Sequence, residues 1–366
     1  MKPLLKGLLL LTGWISVNQQ ANAQKKIENL ILVTTDGLRW QEVFTGMDSA
    51  LANDKSFNQG DSAGIYARYW DADPRQRRQK LMPFFWSVIA QKGQLYGNRQ
   101  LGTKVNNANP HWFSYPGYSE LLTGYGDEQI NSNSFPPNPH TTLLEFLNRQ
   151  PAYKNKVAVF GAWEAFDRIV NEKRSGIPVI NAFDTVAGPK LSAAQQTINR
   201  MLLDSYRPFG NGECLDVFTH YAAMEHMKLQ APRVCFIAYG ETDEWAHEGH
   251  YRDYLHAAHQ VDKWIGDLWN WVQSDPRYRN KTAILITTDH GRGDAVKQEW
   301  TSHGSKIKGA SETWFALLAP NLKAKGEVTK DMQVYQQQLA QTMARLLGLK
   351  YEASHPIAPL VDAVWE

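Results

Sequence analysis

Cysteine is scarce. Cys214 and Cys235 are the only two in 366 residues, too few for a disulfide-built scaffold or for a thiolate cluster around a structural zinc. Any metal must be held by oxygen and imidazole. A charge excess of one sign is also lacking, with 39 Lys+Arg against 37 Asp+Glu and a formal net charge of +2. Such a chain has no broad field with which to hold a nucleic-acid polymer. Beyond residue 17 no apolar run approaches the ~18 residues that a membrane-spanning helix needs. Apolar material is nonetheless plentiful: 43% of residues are hydrophobic, with 13 Trp, 15 Tyr and 14 Phe. That supplies a sizeable core and excludes disorder.

Residues 1–23 follow the grammar of a signal peptide. Lys2 and Lys6 give a positive start, Leu8 to Val17 an apolar middle, and Ala21-Asn22-Ala23 a stretch of small residues for a peptidase. Cleavage after Ala23 is expected, leaving a periplasmic or secreted chain, 24–366, without a membrane span; an uncleaved N-terminal anchor is the alternative. Lys2 and Lys6 account for the whole formal +2 of the chain. In an oxidising compartment Cys214 and Cys235 have the option of pairing.

Continuous apolar, β-branched runs at Leu30 to Thr35, Val157 to Phe160, Val234 to Ala238, Ala283 to Thr287 and Trp314 to Leu318 read as buried strands. Between them lie helix-length amphipathic stretches: Met82 to Gln91, Thr141 to Asn148, Ala193 to Leu203, Tyr251 to Val272 and Val334 to Leu347. This alternation predicts an α/β fold, a mostly parallel central sheet with helices on both faces. Residues 24–366 are read as a single catalytic domain. The polar stretches Ala52 to Lys80, Asn106 to Pro110 and Asn131 to Pro139 read as surface insertions, and 162–232 as a cap or insertion.

Ligands of open α/β sheets gather beyond the carboxyl ends of the strands. Strand one closes at Asp36; the Val234 run is followed by Asp243 and His247; the Ala283 run closes at Asp289-His290, with His303 soon after. Three Asp and three His brought to one edge make a hard oxygen and imidazole set for divalent cations, zinc most naturally. Asp243 and His247, at i and i+4, share one helix face. Taken singly, Asp36 is as good an N-cap and Asp289-His290 as good a turn. The segment Phe113 to Gly124 adds a nucleophile. Pro116 suits the first turn of a helix, which puts Ser114 at its N-terminus, where negative charge is favoured.

With these residues assembled, the chain resembles the alkaline phosphatase superfamily, most closely its type I phosphodiesterase and nucleotide pyrophosphatase branch, from Asn29 to about Leu318. Asp36-Gly37-Leu38-Arg39 is similar to the branch's opening Asp-Gly-Phe-Arg, and Ser114-Tyr115-Pro116-Gly117 stands where it has Thr-Phe-Pro-Asn. Asn133 falls at the phosphate-binding Asn. Asp243 and His247 match Pro-Asp-x-x-Gly-His, with Thr242 for Pro and Ala246 for Gly; Thr288-Asp289-His290-Gly291 and His303-Gly304 match the last two motifs. The resemblance implies two zinc ions, one held by Asp36, Ser114, Asp289 and His290, the other by Asp243, His247 and His303. It also implies a phosphoserine intermediate on Ser114, with Asn133 and the backbone N–H after Ser114 holding the non-bridging oxygens. Two such cations clamp the attacking and leaving oxygens of an in-line displacement.

The expected substrate is a small-molecule phosphate ester, a diester ahead of a monoester. A monoesterase must neutralise an extra charge, for which Arg292 is the guanidinium in range; Trp40, Phe44, Trp112, Phe113, Trp163 and Phe166 offer apolar surface for a diester's second group. A sulfatase of the same superfamily carries Arg four residues beyond its nucleophile, where this chain has Tyr118. The reading from another class is a non-catalytic surface protein that binds a ligand in this cleft.

Overall fold

A computed structural model describes residues 26–366; the signal segment 1–23 and its cleavage site lie outside them. Eleven strands are present among these residues: β1 (Asn29–Thr35), β2 (Gln94–Tyr96), β3 (Thr103–Asn106), β4 (Val157–Gly161), β5 (Val179–Asn181), β6 (Val234–Tyr239), β7 (Thr282–Thr287), β8 (Glu312–Thr313), β9 (Phe315–Leu318), β10 (Gly326–Glu327) and β11 (Met332–Tyr335). Eight form one sheet in the order β10-β2-β9-β7-β1-β6-β4-β5, and β11-β3-β8 form a second. In the large sheet only β9 runs against the rest. β1 lies at the centre, with Leu30 opposite Val234 on one side and Ala283 on the other.

Both faces of this sheet are covered, which is why its strands read as unbroken apolar runs rather than alternating ones. Ile31, Val33, Ile237, Ile284 and Ile286 pack on one face beneath the long helix Tyr251–Ser274, through Leu255, Val261, Ile265 and Leu268. Leu30, Leu32, Phe236, Ala283 and Leu285 pack on the other, against the helices Ser114–Thr123, Leu143–Arg149 and Gln338–Leu346. A mostly parallel α/β fold is the observed architecture. Cys214 and Cys235 are buried free thiols, not a bridge.

One local reading needs correction, and two gain detail. Val334 to Leu347 is not helical throughout: it begins in β11, whose pairing with β3 claims Val334 and Tyr335 before the helix starts at Gln338. The stretch Ala52 to Lys80 holds helices, Ser62–Tyr69 and Pro74–Leu81, each opened by an aspartate, Asp61 or Asp73, that accepts a backbone N–H. Met82 to Gln91 is centred on a π-helical turn, Phe85–Ile89, and buried Asp262 accepts the N–H groups of Phe84 and Phe85 at 2.7 Å each. The segment 162–232 supplies edge strand β5 and the helices Ala193–Asp204 and Asp216–Gln230.

Candidate functional site

The adjacent parallel strands β7, β1 and β6 end at the same edge, and the residues following them meet there. Asp36 directly follows β1. Asp243 and His247 lie on the helix Glu241–His247 after β6, and Asp289 and His290 follow β7. His303 arrives on the loop after the turn Lys297–Thr301. Two donor sets result, Asp36 with Asp289 and His290, and Asp243 with His290 and His303, each with its ligand atoms within 4.8 Å of one another. His247 joins the second, with Nε2 3.0 Å from Asp243 Oδ2 and 2.9 Å from His303 Nε2.

The inner set is ordered atom by atom. Tyr118 Oη donates to Asp36 Oδ2 at 3.0 Å, and the Gly37 N–H donates to Asp289 Oδ1 at 3.2 Å. The other oxygens, Asp36 Oδ1 and Asp289 Oδ2, are buried without a hydrogen-bond partner. Both face His290 Nε2, at 3.2 and 3.5 Å. His290 Nδ1 donates to the Gly291 carbonyl at 2.8 Å, which leaves Nε2, once deprotonated, to offer its lone pair to a cation placed between it and those bare oxygens. Burying unpartnered carboxylates is costly unless a cation joins them. These donors therefore fit a divalent ion.

Charge perturbations report the same crowding. Burial, then the Asp243 charge, pushes the Asp36 carboxyl up; burial and Asp36 lift Asp289 well above the ordinary range. Burial alone would lower His290, but Asp289, Asp36 and Asp243 raise it to about 10. A proton on His290 thus takes the place that a cation would fill. Asp243 goes the other way: against the effect of burial, Arg292 and His247 hold it well below the usual range.

Ser114, 5% exposed, opens the helix Ser114–Thr123, and its Oγ lies 3.4 Å from His290 Nε2. Glycine at 117 has a packing cause: a Cβ there would stand 2.5 Å from the Asp289 carbonyl oxygen, so this helix rests directly on the Asp289 main chain. Ser114, Asn133, Asp36, Asp243, His247 and His303 border a cavity of about 440 Å³. One expectation fails there. The N–H after Ser114, that of Tyr115, is not free for a phosphoryl oxygen, because it donates to Asn133 Oδ1 at 3.0 Å. That bond orients the amide and leaves Asn133 Nδ2 as the available donor.

Arg292 also departs from expectation. It is neither a solvated loop residue nor turned to the cavity. Fully buried, it donates from Nε to the Trp300 carbonyl and from Nη2 to that of Thr301, and its Nη1 contacts Asp243. Of the expected aromatic surface, Trp163 borders the cavity, whereas Phe44 and Phe166 are core residues, each 2% exposed.

Comparison with known proteins bears on the fold. The family model described as the Metalloenzyme superfamily matches residues 216–307, the span from Asp216 through Asp243, His247, Asp289, His290 and His303. No curated protein sequence matches the chain. Among solved structures, a variant of the alkaline phosphatase PafA is similar, with 9% identity, a TM-score of 0.61 and coverage of 94% of this chain and 100% of that one. The 2-O GAG sulfatase BT1596 shares 14% identity with a TM-score of 0.55, covering 93% and 74%. The phosphonate monoester hydrolase SpPMH from Silicibacter pomeroyi shares 15% with a TM-score of 0.53, covering 88% and 73%. The chain shares the fold of these three structures.

Set against the motifs read from the sequence, the residues that sequence reasoning missed are the ones around them. Tyr118 stands at i+4 from Ser114, a spacing that puts both on one helix face and that could have marked it as a partner of Asp36. Arg168, Glu213 and Glu244 also border the cavity. Glu244 directly follows Asp243, but no sequence signal places Arg168 or Glu213.

Proposed function

We propose that the chain is a metal-dependent hydrolase of small-molecule phosphate esters, of the type I phosphodiesterase and nucleotide pyrophosphatase kind, acting through a phosphoserine at Ser114. The observation that carries this reading is the meeting of Ser114 Oγ with His290 Nε2 beside two bare, buried carboxylate oxygens. Asp36, Asp289, His290 and Ser114 would hold one divalent ion, zinc by the chemistry of the donors, and Asp243, His247 and His303 a second. When bound, such ions supply Lewis acidity for an oxygen nucleophile and an oxygen leaving group.

The remaining work falls to the chain. Ser114 Oγ forms the bond to phosphorus as the bond to the leaving oxygen breaks, and water then cleaves the phosphoserine. The N-terminus of the helix Ser114–Thr123 favours the negative charge gathering at Ser114. Asn133 Nδ2 donates to a non-bridging oxygen. Tyr118 and the Gly37 N–H hold Asp36 and Asp289 so that one oxygen of each stays turned to the centre. Secretion or export to the periplasm after cleavage at Ala23 belongs to the same proposal; no described helix is long and apolar enough to cross a membrane.

A monoester reading is favoured by one feature, the Arg168 guanidinium at the cavity. A panel of aryl phosphate monoesters, diesters, phosphonates and sulfates offered to the zinc-loaded protein separates the readings. Diester turnover that falls by about 10³-fold or more in Ser114→Ala, with metal content retained, is the expected result. Full activity in that variant would remove Ser114 as the nucleophile.

A further inference from the structure

The cavity in front of Ser114 has a wall that the hydrolytic reading leaves unused. Trp163, Glu164, Glu213 and Glu244 line it beside His247 and His303. The wall is built into the fold. Beyond β4 the chain carries on to Trp163, which bridges antiparallel to Glu213, while the Glu164 N–H donates to the Gly212 carbonyl at 2.8 Å and the Cys214 N–H to that of Ala162 at 3.0 Å. These bonds fix Glu213 at the cavity, where it is only 7% exposed and its Oε1 has no hydrogen-bond partner among the described residues. Its carboxylate lies over Gly240, at the end of β6. A Cβ at position 240 would come within 1.7 Å of Glu213 Oε1, so glycine there is what admits the carboxylate.

Among the described residues no cationic side chain pairs with Glu213, and burial together with the Glu244 charge pushes its carboxyl well above the ordinary range. Arg168, the cavity's guanidinium, is turned to the carbonyls of Asn133 and Phe135, at 3.3 and 2.7 Å. A buried carboxylate without a donor calls for a cationic partner. The chemistry of the wall selects the kind of cation. A metal ion would use the oxygens alone, whereas an organic ammonium uses carboxylate charge and an aromatic face together, and Trp163 supplies that face. The wall lines the same cavity as Ser114, so a phosphoryl group at Ser114 would leave its alcohol portion to reach across.

We propose that Glu213, with Trp163, Glu164 and Glu244, binds the positively charged alcohol portion of the substrate, an amino or quaternary ammonium alcohol esterified to phosphate. The assignment rests on the phosphoester reading above and names its substrate class. The selectivity it predicts is for charge at constant shape.

The test compares 2-(trimethylammonio)ethyl 4-nitrophenyl phosphate with its uncharged isostere, 3,3-dimethylbutyl 4-nitrophenyl phosphate, on zinc-loaded enzyme. The expected result is a kcat/KM at least about tenfold higher for the ammonium ester, with a ratio that collapses toward one in Glu213→Gln and also in Gly240→Ala, which displaces the carboxylate without removing it. Equal kcat/KM for the two esters in the unmodified enzyme overturns the ammonium site while leaving hydrolysis standing. No turnover of either ester strikes the hydrolytic reading instead, and calorimetry with choline against 3,3-dimethylbutanol then decides the subsite by itself. Binding of choline alone, lost in Glu213→Gln, supports the proposal; equal binding of both, or of neither, overturns it. A third metal ion per chain that disappears in Glu213→Gln also overturns it, in favour of an inorganic cation.

Discussion

The two donor sets differ in how they are built. Asp36, Asp289 and His290 sit just beyond the ends of central strands, and each has its second polar atom fixed, to Tyr118, to the Gly37 N–H and to the Gly291 carbonyl. His247 and His303 come from a short helix and a loop, and the His247 side chain is 41% exposed. Asp243 is anchored, but by a cation, Arg292, rather than by a neutral donor. The inner set is thus fixed by the sheet before any ligand arrives, whereas the outer set owes its shape to side chains that solvent reaches. Preorganised donors hold a cation without having to be ordered first.

The sharpest way to break that comparison is to remove His290, which faces the inner carboxylates and also stands in the outer set, or His247, which belongs to the outer set alone. His290→Ala deletes the atom that faces both bare oxygens, and we expect the loss of bound metal and a fall in turnover of about 10³-fold or more. Added zinc should not restore it. His247→Ala should weaken metal binding by roughly 10- to 100-fold and recover turnover when zinc is supplied in excess. Zinc titration of the two variants, read by metal content and rate together, checks the difference. If excess zinc rescues both equally, the inner set is not preorganised.

A smaller effect belongs to Tyr118→Phe, which keeps the buried ring and removes only the O–H that fixes Asp36 Oδ2. Metal affinity should fall by about tenfold with folding unchanged, the behaviour of a partner that orients a ligand without touching the metal. Competition with a chromogenic zinc chelator measures it. An unchanged affinity would mean that β1 alone aims Asp36.

How far the sequence reveals this arrangement follows from the same contrast. The long strands of the sheet centre are legible because burial on both faces demands continuous apolar runs, as at Leu30 to Thr35 and Ala283 to Thr287. Strands β2, β5, β8 and β10 are only two or three residues long and depend on their neighbours for pairing, so no local period announces them. Asp36, Asp289 and His290 are legible for a related reason: polar residues that close buried strands stand out. Glu213 does not, because it reaches the cavity through the bridge to Trp163, fifty residues away in the chain. Arg292 shows the limit from the other side. Its spacing from Asp289 suggested a substrate contact, and the Trp300 and Thr301 carbonyls claim it instead.

The smallest predicted effect tests whether the nucleophile belongs with the inner set. Ser114 reaches His290 because its helix lies against the Asp289 main chain, with no side chain between them at Gly117. Gly117→Ala would place a methyl 2.5 Å from the Asp289 carbonyl oxygen, an oxygen already held by Asn107 at 2.8 Å and Gln336 at 3.1 Å. Neither side can give way freely. The helix must therefore shift outward, at a cost of about 1–3 kcal/mol in unfolding free energy by denaturant titration. Turnover should fall through kcat more than through KM, since the shift separates Ser114 from His290 without touching the far wall of the cavity. The outer set, which that helix does not support, should keep its metal affinity. A variant that loses stability but keeps its full kcat would show that the position of Ser114 does not depend on this contact, and the grouping of nucleophile with inner donors would fail.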